Sequence, residues 1–246
     1  MFDPFGDYES EWYLRNKLKE KDLRVIKRIE HDFFEANIEE ALNFINKIHG
    51  NIIYKDFLKV HGILFSDIYP WAGKDRLEVI PGKAISKGDI LFARPEDTKL
   101  AIDQGLRLAQ DSKKMKSKLG EVMGLFAYGH PFLDGNGRTM LVIHSELCRR
   151  SGFSIAWNES NKNDYLNALS DEIEKPGKGI LDDYLLAFKY KAINLKQLRA
   201  VLTNIEGLDG LDERNQLDGD FSNPNVANKY DEFSEKRDYR ITYGKN

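Results

Sequence analysis

Nine consecutive residues, His130-Pro131-Phe132-Leu133-Asp134-Gly135-Asn136-Gly137-Arg138, gather an imidazole, a carboxylate, an amide, two glycines and a guanidinium. Glycines flanking an asparagine just before a helical pattern let several backbone N–H groups turn toward an anion at the positive end of the helix dipole, as a phosphate site requires. Arg138 adds a permanent charge whose fork of donors suits phosphate oxygens. Asp134 is a hard oxygen ligand beside that anion site, and Mg²⁺ favours one or two carboxylates completed by substrate phosphates. At the other end of the run, His130 accepts a proton at neutral pH. It can therefore deprotonate a hydroxyl attacking phosphorus while metal and Arg138 stabilise the developing charge.

Other motifs built from similar residues fit less well. Taken singly, Asp134-Gly135 and Asn136-Gly137 are ordinary turn dipeptides, and a lone histidine before a turn is usually structural. A calcium loop starting at Asp134 needs glycine at its sixth position and an acid at its twelfth, where this chain has Thr139 and Ser145. A P-loop needs Gly-Lys-Ser/Thr, which is missing, and the third glycine of a dinucleotide fingerprint is Met140 here.

The elements that must position the run are mostly helical. Phe34, Ile38, Leu42, Ile45 and Ile48 recur at steps of three and four, and so line one helix face. Phe57, Leu58, His61, Leu64 and Phe65 form a second such face, which must end before Tyr69-Pro70. His61 is most simply a helix-face residue with a satisfied hydrogen bond. From Arg76 to Pro95 short extended runs are separated by Pro81-Gly82 and Gly88, a β-hairpin or ribbon pattern. Helical periodicity returns around Leu100–Ala109, Glu121–Tyr128 and after Arg138 through Met140, Ile143 and Leu147. Another amphipathic stretch runs over Asp164–Ile173, and Tyr184, Leu185, Phe188, Ile193, Leu198 and Leu202 are further candidates for burial. Beyond residue 200 the acidic, Gly- and Asn-rich texture predicts an irregular or partly disordered extension, 201–246.

Length and charge narrow the function classes. A chain of 246 residues holds one sizeable core, and its net charge of −3 gives no global attraction for nucleic acid. The single cysteine, Cys148, excludes an intramolecular disulfide framework and suits a reducing compartment; it reads as a small buried residue on a helix. The acidic start, Met1-Phe2-Asp3-Pro4-Phe5-Gly6-Asp7, has no secretory signal pattern, and no apolar run reaches membrane-spanning length. The expectation is a cytoplasmic protein, or one exported without such a signal.

The run from His130 to Arg138 closely resembles the Fic-family motif: His-Pro-Phe, two variable residues, then Gly-Asn-Gly-Arg. The resemblance extends to Tyr13-Leu14-Arg15-Asn16-Lys17-Leu18 and to Ile68-Tyr69-Pro70-Trp71-Ala72-Gly73, and covers roughly residues 10–195. It implies a mainly α, Fic-type helical bundle over 1–200, with a β-hairpin flap at about 76–95 and the active-site loop, 130–138, between two central helices. It implies a protein adenylyltransferase that moves AMP from ATP to a Ser, Thr or Tyr hydroxyl of a target and releases pyrophosphate. His130 is then the base, Asp134 the Mg²⁺ ligand, Gly135, Asn136 and Gly137 the phosphate cradle, and Arg138 the contact to the outer phosphates. Phe132 is an internal anchor, Tyr165 and Asn167 lie by the adenine, and Ile85, Ser86, Lys87 and Gly88 of the flap pair with an extended target loop.

One position departs from the family pattern. A second arginine commonly follows three residues after the first, and Leu141 stands there. No Ser or Thr near either terminus is followed at the inhibitory spacing by glutamate: Ser10, Thr203, Ser222 and Ser234 lead to Leu14, Gly207, Val226 and Asp238. No built-in brake is visible. The expectation is a separate small antitoxin-like inhibitor, as in a toxin–antitoxin pair, or a secreted effector regulated otherwise. Three other readings stay open: a Doc-like phosphotransferase, against which the glycines stand, transfer from another donor such as UTP or CDP-choline, and a catalytically quiet binding module.

Overall fold

In chain order the helices begin with a short α1 (Tyr8–Glu11), a long α2 (Leu23–Asn46) and α3 (Tyr54–Phe65). A helical turn, α4 (Arg76–Val79), leads to strands β1 (Lys83–Lys87) and β2 (Ile90–Leu91), then to α5 (Pro95–Gln110), α6 (Ser112–Ser117), α7 (Leu119–Gly129) and α8 (Asn136–Arg150). The remainder is β3 (Phe153–Ile155), α9 (Lys162–Glu174), α10 (Ile180–Leu186), β4 (Lys189–Lys191), α11 (Leu195–Thr203), β5 (Asn215–Asp220) and α12 (Pro224–Arg237). This computed structural model describes residues 2–205, 207–208, 215–239 and 241; expectations for the rest of the tail fall outside the described residues.

Local signals account for most boundaries. The Asp22 side chain caps α2 by accepting from the N–H groups of Arg24 and Val25, and Pro95 opens α5 in the first turn, where its missing N–H costs nothing. Every residue of α7 is buried, as its sequence Leu-Gly-Glu-Val-Met-Gly-Leu-Phe-Ala-Tyr-Gly allows. Helix α8 is nearly as enclosed, and α2, α3, α5, α9 and α10 pack around the pair. The loop joining α7 to α8 therefore lies inside the molecule rather than at its rim.

The mainly helical expectation with a small flap is met, with two corrections. Residues 76–79 are not part of the ribbon but a helical turn, because Asp75 accepts from the Glu78 N–H and Arg76 is drawn into the interior. The hairpin proper is β1 with β2, in register Ser86 to Leu91 and Lys87 to Ile90. The tail is also not irregular throughout. It carries β5 and the 14-residue α12. Strand β5 pairs antiparallel with the free edge of β1, giving a three-stranded sheet in the order β2-β1-β5. A second small sheet joins β3 to β4.

Candidate active site

Helix α7 stops because His130 precedes Pro131, whose ring disfavours helical geometry in the residue before it. His130 instead adopts φ 40°, ψ 59°, a left-handed conformation that costs a side-chain-bearing residue on the order of 1–3 kcal/mol. Its surroundings hold it there. Its N–H donates to Phe126 O at 3.2 Å, and its ring stacks on Phe92 with centroids 3.7 Å apart. Its carbonyl accepts from Arg76 Nε at 2.7 Å, and the Arg76 N–H donates to Pro131 O at 2.8 Å. Arg76 Nη2 also donates to Ala93 O at 2.7 Å, so one buried guanidinium ties the flap's far end to the histidine. Burial pulls that guanidinium down to about 10, and it stays charged at pH 7.

Asn136 fixes the imidazole's other side. Its Oδ1 accepts from Phe132 N at 3.0 Å and its Nδ2 donates to Phe132 O at 2.8 Å, which decides which way the amide points. The remaining Nδ2 hydrogen faces His130 Nε2 at 3.2 Å, and an amide nitrogen can only donate. His130 therefore presents Nε2 as an acceptor, the form a proton acceptor needs. Phe132, fully buried and stacked on His61 at 3.6 Å between centroids, is the anchor expected of it. His61 donates from Nε2 to Asp134 O at 3.1 Å and accepts at Nδ1 from Gly73 N, so its hydrogen bonds are satisfied, and burial pushes it down to about 3.

The loop ends at Gly135, whose φ of 73° and crowding by Phe65 require glycine: an added Cβ would lie 2.5 Å from that ring. Its carbonyl accepts from Thr139 N, starting α8. The N–H groups of Asn136, Gly137 and Arg138 open the helix, where no intrahelical carbonyl can satisfy them. Gly135 N–H, by contrast, donates to Asp134 Oδ1 at 2.7 Å and lies outside that set.

The charged groups form a buried cluster. Lys27, from α2, bonds Asp134 Oδ2, to which Tyr13 OH also donates at 3.4 Å. Arg138 bonds Glu30 Oε1, and its Nη2 lies 3.8 Å from Asp134 Oδ1. Tyr69 OH donates to Glu30 Oε2, which is 3.8 Å from Lys27 Nζ. Two cations and two anions thus neutralise one another with almost no solvent exposure, as buried charges must. Lys27 and Glu30 escaped the sequence reading, although both fall in phase with Phe34 and Ile38 on the buried stripe of α2. A charged pair on an apolar face is the legible sign of such a site.

The expected residues are distributed unevenly. His130, Asp134, Gly135, Asn136 and Arg138 converge, whereas Tyr165 packs edge-on against Trp157 and beside Tyr184, and Asn167 is exposed. Ile85 and Ser86 are buried, not open to solvent, Ile85 within the main core and Ser86 bonded to Asp218 of β5; Gly88 stays exposed at the hairpin tip. Leu141 is packed into the core.

A family model described as Fic/DOC family matches residues 51–148. Among curated proteins, the chain is similar to protein adenylyltransferase VbhT of Bartonella schoenbuchensis, at 32% identity over 170 residues. That match covers 68% of this chain and 35% of VbhT, so the chain spans about a third of that relative's length. It is also similar to the probable protein adenylyltransferase y4lH of Sinorhizobium fredii, at 27% identity over 66% of this chain and 84% of the relative. Among solved structures, the ADP-bound N-terminal Fic domain of a cell filamentation protein from Bartonella quintana aligns with TM-score 0.57 and 19% identity, over 78% of this chain and 95% of that one. The AMPPNP-bound BepC protein of Bartonella tribocorum gives 0.55 and 15%, over 76% and 96%. At these identities the structural matches establish a shared fold.

Proposed function

We propose, from the premise that this chain carries a Fic/DOC-family domain over residues 51–148, that it transfers AMP from ATP to a Ser, Thr or Tyr hydroxyl of a target protein. The observation that carries this reading is the α7–α8 loop, where an acceptor imidazole nitrogen, open helix N–H groups and a guanidinium meet in one enclosed place. The names of two curated relatives support the same chemistry.

In this mechanism Arg76 holds the histidine's backbone, and His130 Nε2 exchanges the Asn136 N–H for the attacking hydroxyl, whose proton it takes. The N–H groups of Asn136, Gly137 and Arg138 bind the phosphate oxygens on which charge builds, and pyrophosphate leaves. Arg138 reaches the outer phosphates by exchanging Glu30 for them. Gly135 shapes the turn, and the Asn136 side chain positions the loop instead of touching the nucleotide.

Mg²⁺, when bound, neutralises phosphate charge, and Asp134 is the residue that would hold it. Lys27 must release Asp134 Oδ2 for that, and Glu30 Oε2 offers its ammonium a second partner. The adenine contacts of Tyr165 and Asn167 remain part of the proposal, with Tyr165 acting through its place against Trp157. Restraint by a separate small inhibitory protein also belongs here, resting on Leu141 in place of a second arginine.

ATP labelled separately at its α and γ phosphates tests the reading. Retention of α label on lysate proteins, abolished by His130→Ala with nucleotide binding intact, is the expected outcome. Label arriving only from the γ position would show phosphotransfer instead.

A further inference from the structure

Strand β1 belongs to the hairpin whose far end meets the catalytic loop. Its hairpin closes through Phe92 on His130 and through the Ala93 N–H donating to Tyr128 O at 2.8 Å. With β2 on one side, β1 has a second edge whose peptide groups, left bare, would recognise an extended segment by adding a strand. In this chain the edge is filled by β5, paired from Lys83 with Asp220 to Lys87 with Asn215 and bulged between Ala84 and Ile85. At the loop end, Asn215 Nδ2 donates to Leu133 O at 3.1 Å, so β5 reaches the catalytic segment itself.

Donors on β1 face carboxylates on β5 across the seam. Ser86 Oγ donates to Asp218 Oδ1 at 2.8 Å, and Lys83 Nζ lies 3.5 Å from Asp220. Helix α12 pins the strand from behind: Tyr230 packs with Ala84 and Leu91, Arg94 Nη2 donates to Asp231 at 2.6 Å, and Arg237 Nε donates to Ile173 O at 2.7 Å. The strand Asn-Gln-Leu-Asp-Gly-Asp contains no Ser, Thr or Tyr.

We propose that β5 is an internal stand-in for the target's strand: it holds the β1 edge with no hydroxyl to offer, and an extended acidic segment of the target must displace it before transfer. The proposal rests on the adenylyl-transfer reading. It supplies a restraint that needs neither a second arginine nor an inhibitory helix. Being tethered, β5 meets β1 at an effective concentration on the order of millimolar, which disfavours a dilute target that cannot match its contacts.

A reversible cross-link tests it. Directly paired residues on antiparallel strands lie at Cα separations a disulfide spans, and Cys148 is buried, so Lys83→Cys with Asp220→Cys introduces the only accessible thiols. In the oxidised protein, α-label transfer to lysate proteins should fall at least about tenfold and return on reduction, while Mg·ATP affinity stays unchanged. Undiminished transfer by protein shown by mass to be cross-linked would overturn the proposal. If the reduced and natural proteins both bind Mg·ATP yet transfer nothing, the transfer reading fails by itself, and the edge is then judged by binding. A fluorescent peptide of residues 215–222 should bind an Asp218→Lys protein, in which the strand loses its partners, and be excluded from the oxidised cross-linked one. Equal binding to both, or to neither, overturns the assignment of this edge as an acidic-strand dock.

Discussion

At the scale of single residues, chemistry was legible where it is contiguous and hidden where it is not. His130 to Arg138 could be read as base, carboxylate, cradle and guanidinium because all lie within one turn and one helix start. Their supports come from far along the chain: Arg76 stands 54 residues before His130, and Lys27 stands 107 before Asp134. Arg76 yields a sharp prediction. It spans His130 O and Ala93 O with a rigid fork that lysine cannot reproduce. Arg76→Lys should therefore let the strained histidine shift by about 1 Å and lower kcat roughly 100-fold, with Mg·ATP affinity nearly unchanged. Single-turnover rates beside calorimetry check this, and a natural kcat in the variant would refute it. The buried cluster yields another. Asp134→Ala removes the nearer of the two anionic partners of Lys27 and should cost about 3–5 kcal/mol in urea unfolding; a loss below about 1 kcal/mol would mean that Glu30 alone can compensate.

At the scale of elements, the helices followed from periodicity, but the closeness of their packing did not. Gly120 opens α7 against α10, where its N–H donates to Asp182 Oδ1 at 2.6 Å. An added Cβ there would stand 2.2 Å from Asp182 N, a backbone atom that cannot rotate away. Gly120→Ala should therefore destabilise by about 2–3 kcal/mol through overpacking, read from the urea midpoint. A change below about 0.5 kcal/mol would show that α10 is free to slide. The flap illustrates the converse. Its glycine-punctuated strands were visible, yet residues 76–79 became a helical turn because the interior draws in Arg76, which local pattern does not register. Strand β5 was invisible for a related reason. Asn-Gln-Leu-Asp-Gly-Asp is poor in β-formers, and the unpaired edge of β1 supplies its extended state.

At the scale of the whole molecule, burial sets the response to acid. His144 is enclosed between α7 and α8, with Nε2 against Leu119 O at 2.8 Å, and burial lowers it to about 4; His61 is lowered to about 3. Both folded values lie below the unfolded value near 6.5. The unfolded chain therefore takes up these protons first, and stability present above pH 6.5 is lost as pH falls toward 4. Each histidine contributes a slope of about 1.4 kcal/mol per pH unit in that window. Glu172 and Asp182, raised above the ordinary carboxylate range by burial, act in the opposite sense as pH falls through that raised range. Comparing His144→Gln with the natural protein isolates one histidine: its stability should fall by one proton's slope less between pH 6 and 5. Parallel curves would contradict the assignment. Among the described residues no helix is long and apolar enough to cross a membrane.

The sequence by itself determined the loop's chemical inventory, its resemblance to a family motif and the mainly helical class, because these depend on adjacent residues and on one-dimensional periodicity. Only the tertiary structure decided that Lys27 and Glu30 hold Asp134 and Arg138, that Arg76 fixes His130, and that the tail covers the β1 edge. Each of these is a contact between groups distant along the chain. A buried charge must find its opposite, and a bare strand edge must find peptide groups, but only the fold settles which residues answer.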